Sequence, residues 1–235
     1  MNEHRRFRLA ETRAPHLPLR RRLMSAALAA GALALGAGLG FAPAPVLAEE
    51  SPDALIERVG NELIRLIADD EAIKRGDMGA INRLVDEKVM PYVNFERMTA
   101  LSAGRWWREA TPEQRKQLMT EFRNMLLRTY SGALEQVGNQ TLRMKPLRAQ
   151  PGATDVIVRS EIVQPGREPI QLDYRMHKVG DGWKIYDLNI LGIWIVETYR
   201  SQFNQEAQRT GVDGLIRSLA DKNREFGPGK GSQGT

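Results

Sequence analysis

The chain has 235 residues, no cysteine, 42% hydrophobic residues and a formal net charge of +5. The charge is uneven: residues 1–48 hold seven of the 34 Lys+Arg and two of the 29 Asp+Glu, leaving 27 of each in the remainder. That neutral remainder carries no Lys/Arg cluster interleaved with aromatics, which excludes the nucleic-acid partner a basic chain otherwise implies, and without cysteine a packed core must supply the stability.

Basic positions from Arg5 to Arg22 precede the Ala/Leu/Gly run Met24 to Phe41, and Pro43-Ala44-Pro45-Val46-Leu47-Ala48 follows before Glu49. A basic region, an apolar stretch and small residues at a cleavage position form an export signal, with cleavage expected after Ala48. The run is Gly-rich, near the lower length limit for a bilayer span and without a stop-transfer flank, so it reads as a cleaved signal rather than an anchor. Arg20-Arg21-Arg22-Leu23-Met24 suits an ordinary basic region and a twin-arginine signal alike, and both export routes stay open. The expected organisation is a signal over 1–48, one domain over 49–226 and a polar, Gly-rich tail over 227–235 without fixed structure.

Ser51-Pro52-Asp53, followed by Leu55, Ile56, Val59, Leu63, Ile64, Leu66 and Ile67, predicts a capped amphipathic helix of about five turns. Asp77 caps a second helix with Ile81, Leu84, Val85 and Val89 inward, stopped at Met90-Pro91. Asn94 starts a short third one with Phe95, Met98 and Leu101 on its apolar side, and Ser102 to Arg108 reads as a loop. Thr111-Pro112-Glu113-Gln114 carries every mark of a capping box. The helix it opens is predicted to reach Val137, with Gly138 ending it.

From Thr141 the apolar period changes from 3.6 to 2. Four strands are expected: Leu142 to Leu147, where Pro146 argues for an edge; the segment holding Val156, Val158 and Ile162; after the Pro165-Gly166-Arg167 turn, Ile170 to His177; and, after Gly180-Asp181-Gly182, the run from Trp183. An apolar strand then passes through Gly192 into a helix from Trp194 to about Arg209, with another after Gly211-Val212-Asp213. The fold class is α+β: a twisted four-stranded antiparallel sheet with helices on its apolar face.

Catalytic devices are scarce. His4 and His16 lie in the signal, which leaves His177, on the polar phase of a strand, as the one histidine of the mature chain. One His and no Cys exclude most soft-metal sites and the usual Cys-His and Ser-His-acid machinery. The acidic run Asp69-Asp70-Glu71 lacks the alternating oxygen ligands of a calcium loop and reads as solvated surface. Gly227 to Ser232 lacks phosphate-loop spacing. Asp173 or Asp187 would serve as a base if the sheet curved over a pocket, as in cone-shaped α+β isomerases and hydrolases, yet both sit out of phase with the inward residues or at a strand end, as structural ion pairs do. Met98, Met125, Met144, Met176, Tyr130, Tyr174 and the Ile193-Trp194-Ile195 corner are long, pliable or amphipathic. On spacing alone they fit a filled core or an adaptable lipid or partner site.

Several segments together resemble one family: Val89-Met90-Pro91-Tyr92-Val93-Asn94-Phe95-Glu96-Arg97-Met98; Trp107-Arg108-Glu109-Ala110-Thr111-Pro112-Glu113-Gln114-Arg115 with Glu121-Phe122-Arg123 and Arg128-Thr129-Tyr130; Pro169-Ile170-Gln171-Leu172-Asp173-Tyr174; and Trp183 to Leu188 through Gly192 to Tyr199-Arg200 and Phe203. In this order they resemble the MlaC/toluene-tolerance family of periplasmic phospholipid-binding proteins. Asn94, where an aspartate is common, and Trp194, where a smaller residue is common, depart from its pattern.

The resemblance implies a monomeric periplasmic carrier, not an enzyme and without a cofactor or metal, that holds phospholipid acyl chains between sheet and helices and leaves the headgroup in water. Its implied partners are an inner-membrane MCE-domain ABC transporter and an outer-membrane lipoprotein-porin complex. Met98, Tyr130 and Leu134 on helices, Val158, Ile162, Ile170, Leu172 and Tyr174 on the sheet, and Ile193, Trp194 and Val196 at the corner are the expected lipid-binding residues. At ~0.8 kcal/mol per methylene, two chains of about fifteen methylenes are worth on the order of 24 kcal/mol. A cavity of about 1,000 Å³ or more is therefore expected.

Overall fold

The structure, a computed structural model, describes residues 49–225. The export signal, its cleavage site, Phe226 and the expected tail lie outside them.

Helix α1 (Pro52–Asp69) starts where the Ser51 side chain accepts from the Ala54 N–H. Its buried stripe of Leu55, Ile56 and Val59 packs on the sheet. Asp70 is more than solvated surface: its carboxylate accepts the N–H groups of Ala72 and Ile73 (2.8 and 3.1 Å) and caps the single-turn helix α2 (Glu71–Lys74), which buries Ile73. Helix α3 (Met78–Lys88), capped by Asp77, gives way to a 3-10 turn at Met90–Tyr92.

Asn94 caps α4 (Phe95–Ala103) through the Arg97 N–H (2.9 Å), and the helix buries Met98, Thr99, Ser102 and Ala103. Leu101, expected inward, is exposed because it falls on the opposite arc. The expected loop after Ser102 is instead a second short helix, α5 (Arg105–Glu109), started at Gly104. Arg115 steadies it by donating to the Trp107 carbonyl (2.9 Å) while its guanidinium lies over the Trp107 ring. Both capping-box bonds of Thr111 and Gln114 are present at the start of α6 (Pro112–Leu134), which ends three residues before Val137.

The sheet is a meander in the order β1-β2-β3-β4-β5, antiparallel throughout: β1 (Thr141–Met144), β2 (Asp155–Val163), β3 (Ile170–Val179), β4 (Gly182–Ile190) and β5 (Ile193–Trp194). The fifth strand is an addition to the four expected. Leu191 (φ 52°) and Gly192 (φ 88°) form a two-residue reversal that folds β5 back on β4, pairing Asn189 with Trp194 and Ile190 with Ile193. Trp194 is therefore a strand residue. The last helix, α7 (Ile195–Glu225), begins one position later and breaks at Gly211 (φ 69°), so it serves as the two helices expected.

Between the pairs Arg175–Asp187 and Met176–Ile185, Tyr186 has no partner and forms a bulge. The extra residue lets Ile185 and Leu188, three apart, point to the same face. That face meets α1 through Val156, Val158, Tyr174, Met176 and Ile185, forming one core. A second core joins α4, α6 and α7 around Phe122, whose ring lies 5.0 Å from both Tyr199 and Phe203. The third, around Ile73 and Ile81, closes α1, α2 and α3 against the end of α6.

Candidate functional site

Helix α6 carries two apolar stripes. Leu118, Phe122 and Met125 enter the core shared with α4 and α7, while Leu126, Leu127, Tyr130 and Leu134, with Val137 just beyond the helix, face a cavity of about 550 Å³ between this helix and the sheet. The three cores meet at that cavity, and their half-buried edge residues form part of its wall. Val93, Phe95 and Leu188 come from two of them and Leu127 and Leu134 from the third. Nothing polar is buried in the wall beyond Ser131, whose hydroxyl is satisfied by the Arg128 carbonyl (3.2 Å).

On the sheet side the wall follows the register. Ile162 pairs with Ile170, Leu172 with Ile190, and Tyr174 with Leu188; paired residues share a face, so Ile162, Ile170, Leu172, Leu188 and Ile190 form one apolar patch. The opposite wall is Ile64 of α1, Val85 of α3, Val89, Met90 of the 3-10 turn, and Met98 of α4.

Of the residues singled out from sequence, Met98, Tyr130, Leu134, Ile162, Ile170 and Leu172 line this cavity. Five do not. Val158 and Tyr174 share the sheet face but are buried further along it under α1, where burial pushes the Tyr174 phenol up to about 12. Val196 is buried in the helical core. Ile193, opposite Ile190, stands at the rim and is 62% exposed. Trp194 alternates to the other face of the sheet and stacks on Arg175, whose guanidinium carbon lies 3.9 Å from the ring centre.

The volume is about half of that expected. Phe95, Met98, Met90 and Tyr130 are among the long side chains that line it. Taking a methylene to need the ~30 Å³ that a water takes in the liquid, the cavity holds on the order of 18 methylenes, about one acyl chain.

The ionisable groups of the lining are Arg123, Tyr130, Arg167 and Glu168. Arg123 is committed to Asn82 (3.0 Å) and Asp86 (2.5 Å) on α3, and burial pushes the Tyr130 phenol up. Arg167 and Glu168 sit at the exposed mouth with Gln136 and Gln164.

Asp173 and Asp187 both lie on the sheet face away from the cavity. Asp187, fully buried, accepts from Arg175 (2.8 Å) and from the N–H groups of Leu188 and Val196 (2.9 Å each), tying α7 to the sheet; burial nonetheless pushes its carboxyl up. Asp173 accepts from Gln171 (2.7 Å), with its other oxygen unsatisfied. His177 is less solvated than expected of a polar-phase strand residue. Its Nε2 lies 3.1 Å from Asn94 Nδ2 and its ring packs edge-on against Tyr186. Among the described residues no group of three or more His, Cys, Asp or Glu is arranged to hold a metal ion, and no helix is long and apolar enough to cross a membrane.

Comparison with known proteins gives the same architecture. A phospholipid-binding protein from Ralstonia solanacearum, solved in complex with a phospholipid, superposes with a TM-score of 0.72 at 41% identity, over 74% of this chain and 97% of that one. The intermembrane phospholipid transport system binding protein MlaC of Haemophilus influenzae is 24% identical over 176 residues, 74% of this chain and 82% of that protein. Toluene tolerance protein ttg2D of Pseudomonas putida is 24% identical over 172 residues, 73% of this chain and 80% of its own. The family described as MlaC protein matches residues 57–221, most of the described chain. The chain belongs to the MlaC family.

Proposed function

We propose that this protein is a periplasmic phospholipid carrier that acts as a monomer, is not an enzyme and needs no cofactor. The observation that carries the reading is the apolar cavity between α6 and the sheet, whose buried wall bears no carboxylate. An enzyme of similar shape would need a base on the cavity floor; the candidates from sequence, Asp173 and Asp187, face the other way. The Ralstonia relative, 41% identical and in complex with a phospholipid, supports the choice of ligand.

Such a carrier would exchange lipid between an outer-membrane lipoprotein-porin complex and an inner-membrane MCE-type ABC transporter. Two acyl chains are worth on the order of 24 kcal/mol relative to water, so lipid does not cross by free diffusion. Transfer is then a swap between sites of similar affinity, opened by docking. The cavity takes about one chain in the conformation described, so a diacyl lipid is accommodated by separation of α6 from the sheet. Native mass spectrometry of the mature protein tests the carrier reading. A mass increment of a glycerophospholipid is expected; ligand-free protein that also fails to load from vesicles rejects it.

A further inference from the structure

We propose, building on the carrier reading, that the cavity mouth selects zwitterionic phospholipid headgroups, with Arg167 on the phosphate and Glu168 on the headgroup ammonium. Both residues line the cavity and both are exposed. They follow Pro165-Gly166 in the β2–β3 turn, which the Arg167 N–H closes by donating to the Gln164 carbonyl (3.2 Å).

Commitments elsewhere leave these two charges for a ligand. The other cation of the wall, Arg123, is held by Asn82 and Asp86. Neither the Arg167 guanidinium nor the Glu168 carboxylate has an ion-pair or hydrogen-bond partner among the described residues. The Gln140 amide at the same rim is spent on its own loop, accepting from the Gly138 N–H and donating to the Gln136 carbonyl. The side-chain amides of Gln136 and Gln164 remain, able to donate to a phosphate or accept from an ammonium.

An apolar cavity ending in one unpaired cation beside one unpaired anion complements a ligand that is apolar, then negative, then positive. A phosphodiester lets the planar guanidinium bond two oxygens at once, and the adjoining ammonium meets the carboxylate. Phosphatidylglycerol satisfies Arg167 but brings no cation to Glu168. Diacylglycerol satisfies neither. Because the mouth faces water, each contact changes selectivity by a few-fold while the acyl chains supply retention.

The test equilibrates the mature protein with excess vesicles holding equal amounts of phosphatidylethanolamine, phosphatidylglycerol and diacylglycerol, and counts bound lipid by native mass spectrometry. Wild type is expected to take phosphatidylethanolamine over phosphatidylglycerol by roughly two- to fivefold, the range for a partly solvated ion pair. Glu168→Gln should bring that ratio to the vesicle composition. Arg167→Gln should reduce both phospholipids relative to diacylglycerol, and Arg167→Lys should restore part of the loss. Both positions are exposed turn residues, and circular dichroism confirms that the variants fold. A wild-type ratio equal to that of the vesicles, or variants with wild-type ratios, overturns the headgroup assignment alone. Wild type that takes up no lipid overturns the carrier reading with it.

Discussion

Leu134→Glu and Ile193→Glu separate a wall residue from a rim residue. Leu134 is half-buried at the end of α6 and faces the cavity, whereas Ile193 is 62% exposed beside it. A carboxylate at position 134 would have to lie against hydrocarbon, at a cost of several kcal/mol per ion in a protein interior. Taking about 3 kcal/mol, because the site is near the mouth, lipid retention falls by roughly a hundredfold, at 1.4 kcal/mol per factor of ten. The fold pays far less: about 1 kcal/mol for lost apolar contact and up to about 1 kcal/mol for an acid at the negative end of a helix. Ile193→Glu, already in water, costs the fold little and leaves the wall intact. Phospholipid phosphorus per mole of purified protein, alongside a thermal melt, reads both effects. Folded Leu134→Glu protein with the wild-type lipid content would refute the assignment of the wall, as would equal losses in the two variants.

Three further outcomes follow from local geometry. Asn94 Oδ1 accepts from the Arg97 N–H, which leaves Nδ2 as donor to His177 Nε2 and requires neutral imidazole there. Burial first, then the charge of Arg97, hold the His177 pKa below its ordinary value. The folded state thus binds fewer protons than the unfolded one: the His177 contribution to stability is full above the ordinary histidine value and lost as pH falls through the lowered folded one. An NMR titration should place His177 below 6.5, and Asn94→Asp should raise its pKa by supplying a carboxylate to the imidazolium; no shift in the variant would count against the pairing. Leu191 holds φ 52° with its side chain 64% exposed, so Leu191→Asn should stabilise by about 1 kcal/mol in a denaturant melt without altering lipid content; destabilisation would show that Leu191 packs usefully. Asp187→Ala should destabilise by about 3 kcal/mol, because it leaves the Leu188 and Val196 N–H groups without their acceptor and removes one of the two carboxylates on Arg175, Glu197 being the other; a neutral effect would show that the network does not anchor α7.

Helix starts were legible because caps are local. Ser51, Asp77, Asn94 and Thr111 each hydrogen-bond within three residues, and each stands where the sequence placed it. Alternation likewise located β2 and β3 and put Ile162 and Leu172 on the inner face. Short elements were hidden: four residues of α2 and two of β5 are too few to show a period. The corner was misread for the same reason. Taken as a helix start, Ile193-Trp194 appears to crowd one site, but as a strand after the Leu191-Gly192 reversal the two residues point to opposite faces, sending Trp194 to Arg175. Strict alternation would also have set Leu188 and Ile190 against Ile185, and the Tyr186 bulge removes that conflict. Ile64, Val85 and Val89 have the periodicity of ordinary core residues; that they face a cavity depends on where α6 crosses, which is tertiary information.

In the carrier reading, acyl chains lie between α6 and the inner face of the sheet. Incorporating p-benzoylphenylalanine in place of Tyr130 at the cavity mouth, or of Trp194 on the opposite face, and irradiating the protein in cells tests it most directly. A covalent phospholipid adduct is expected at position 130 and none at 194. An adduct absent from 130, or equally abundant at both positions, would contradict it.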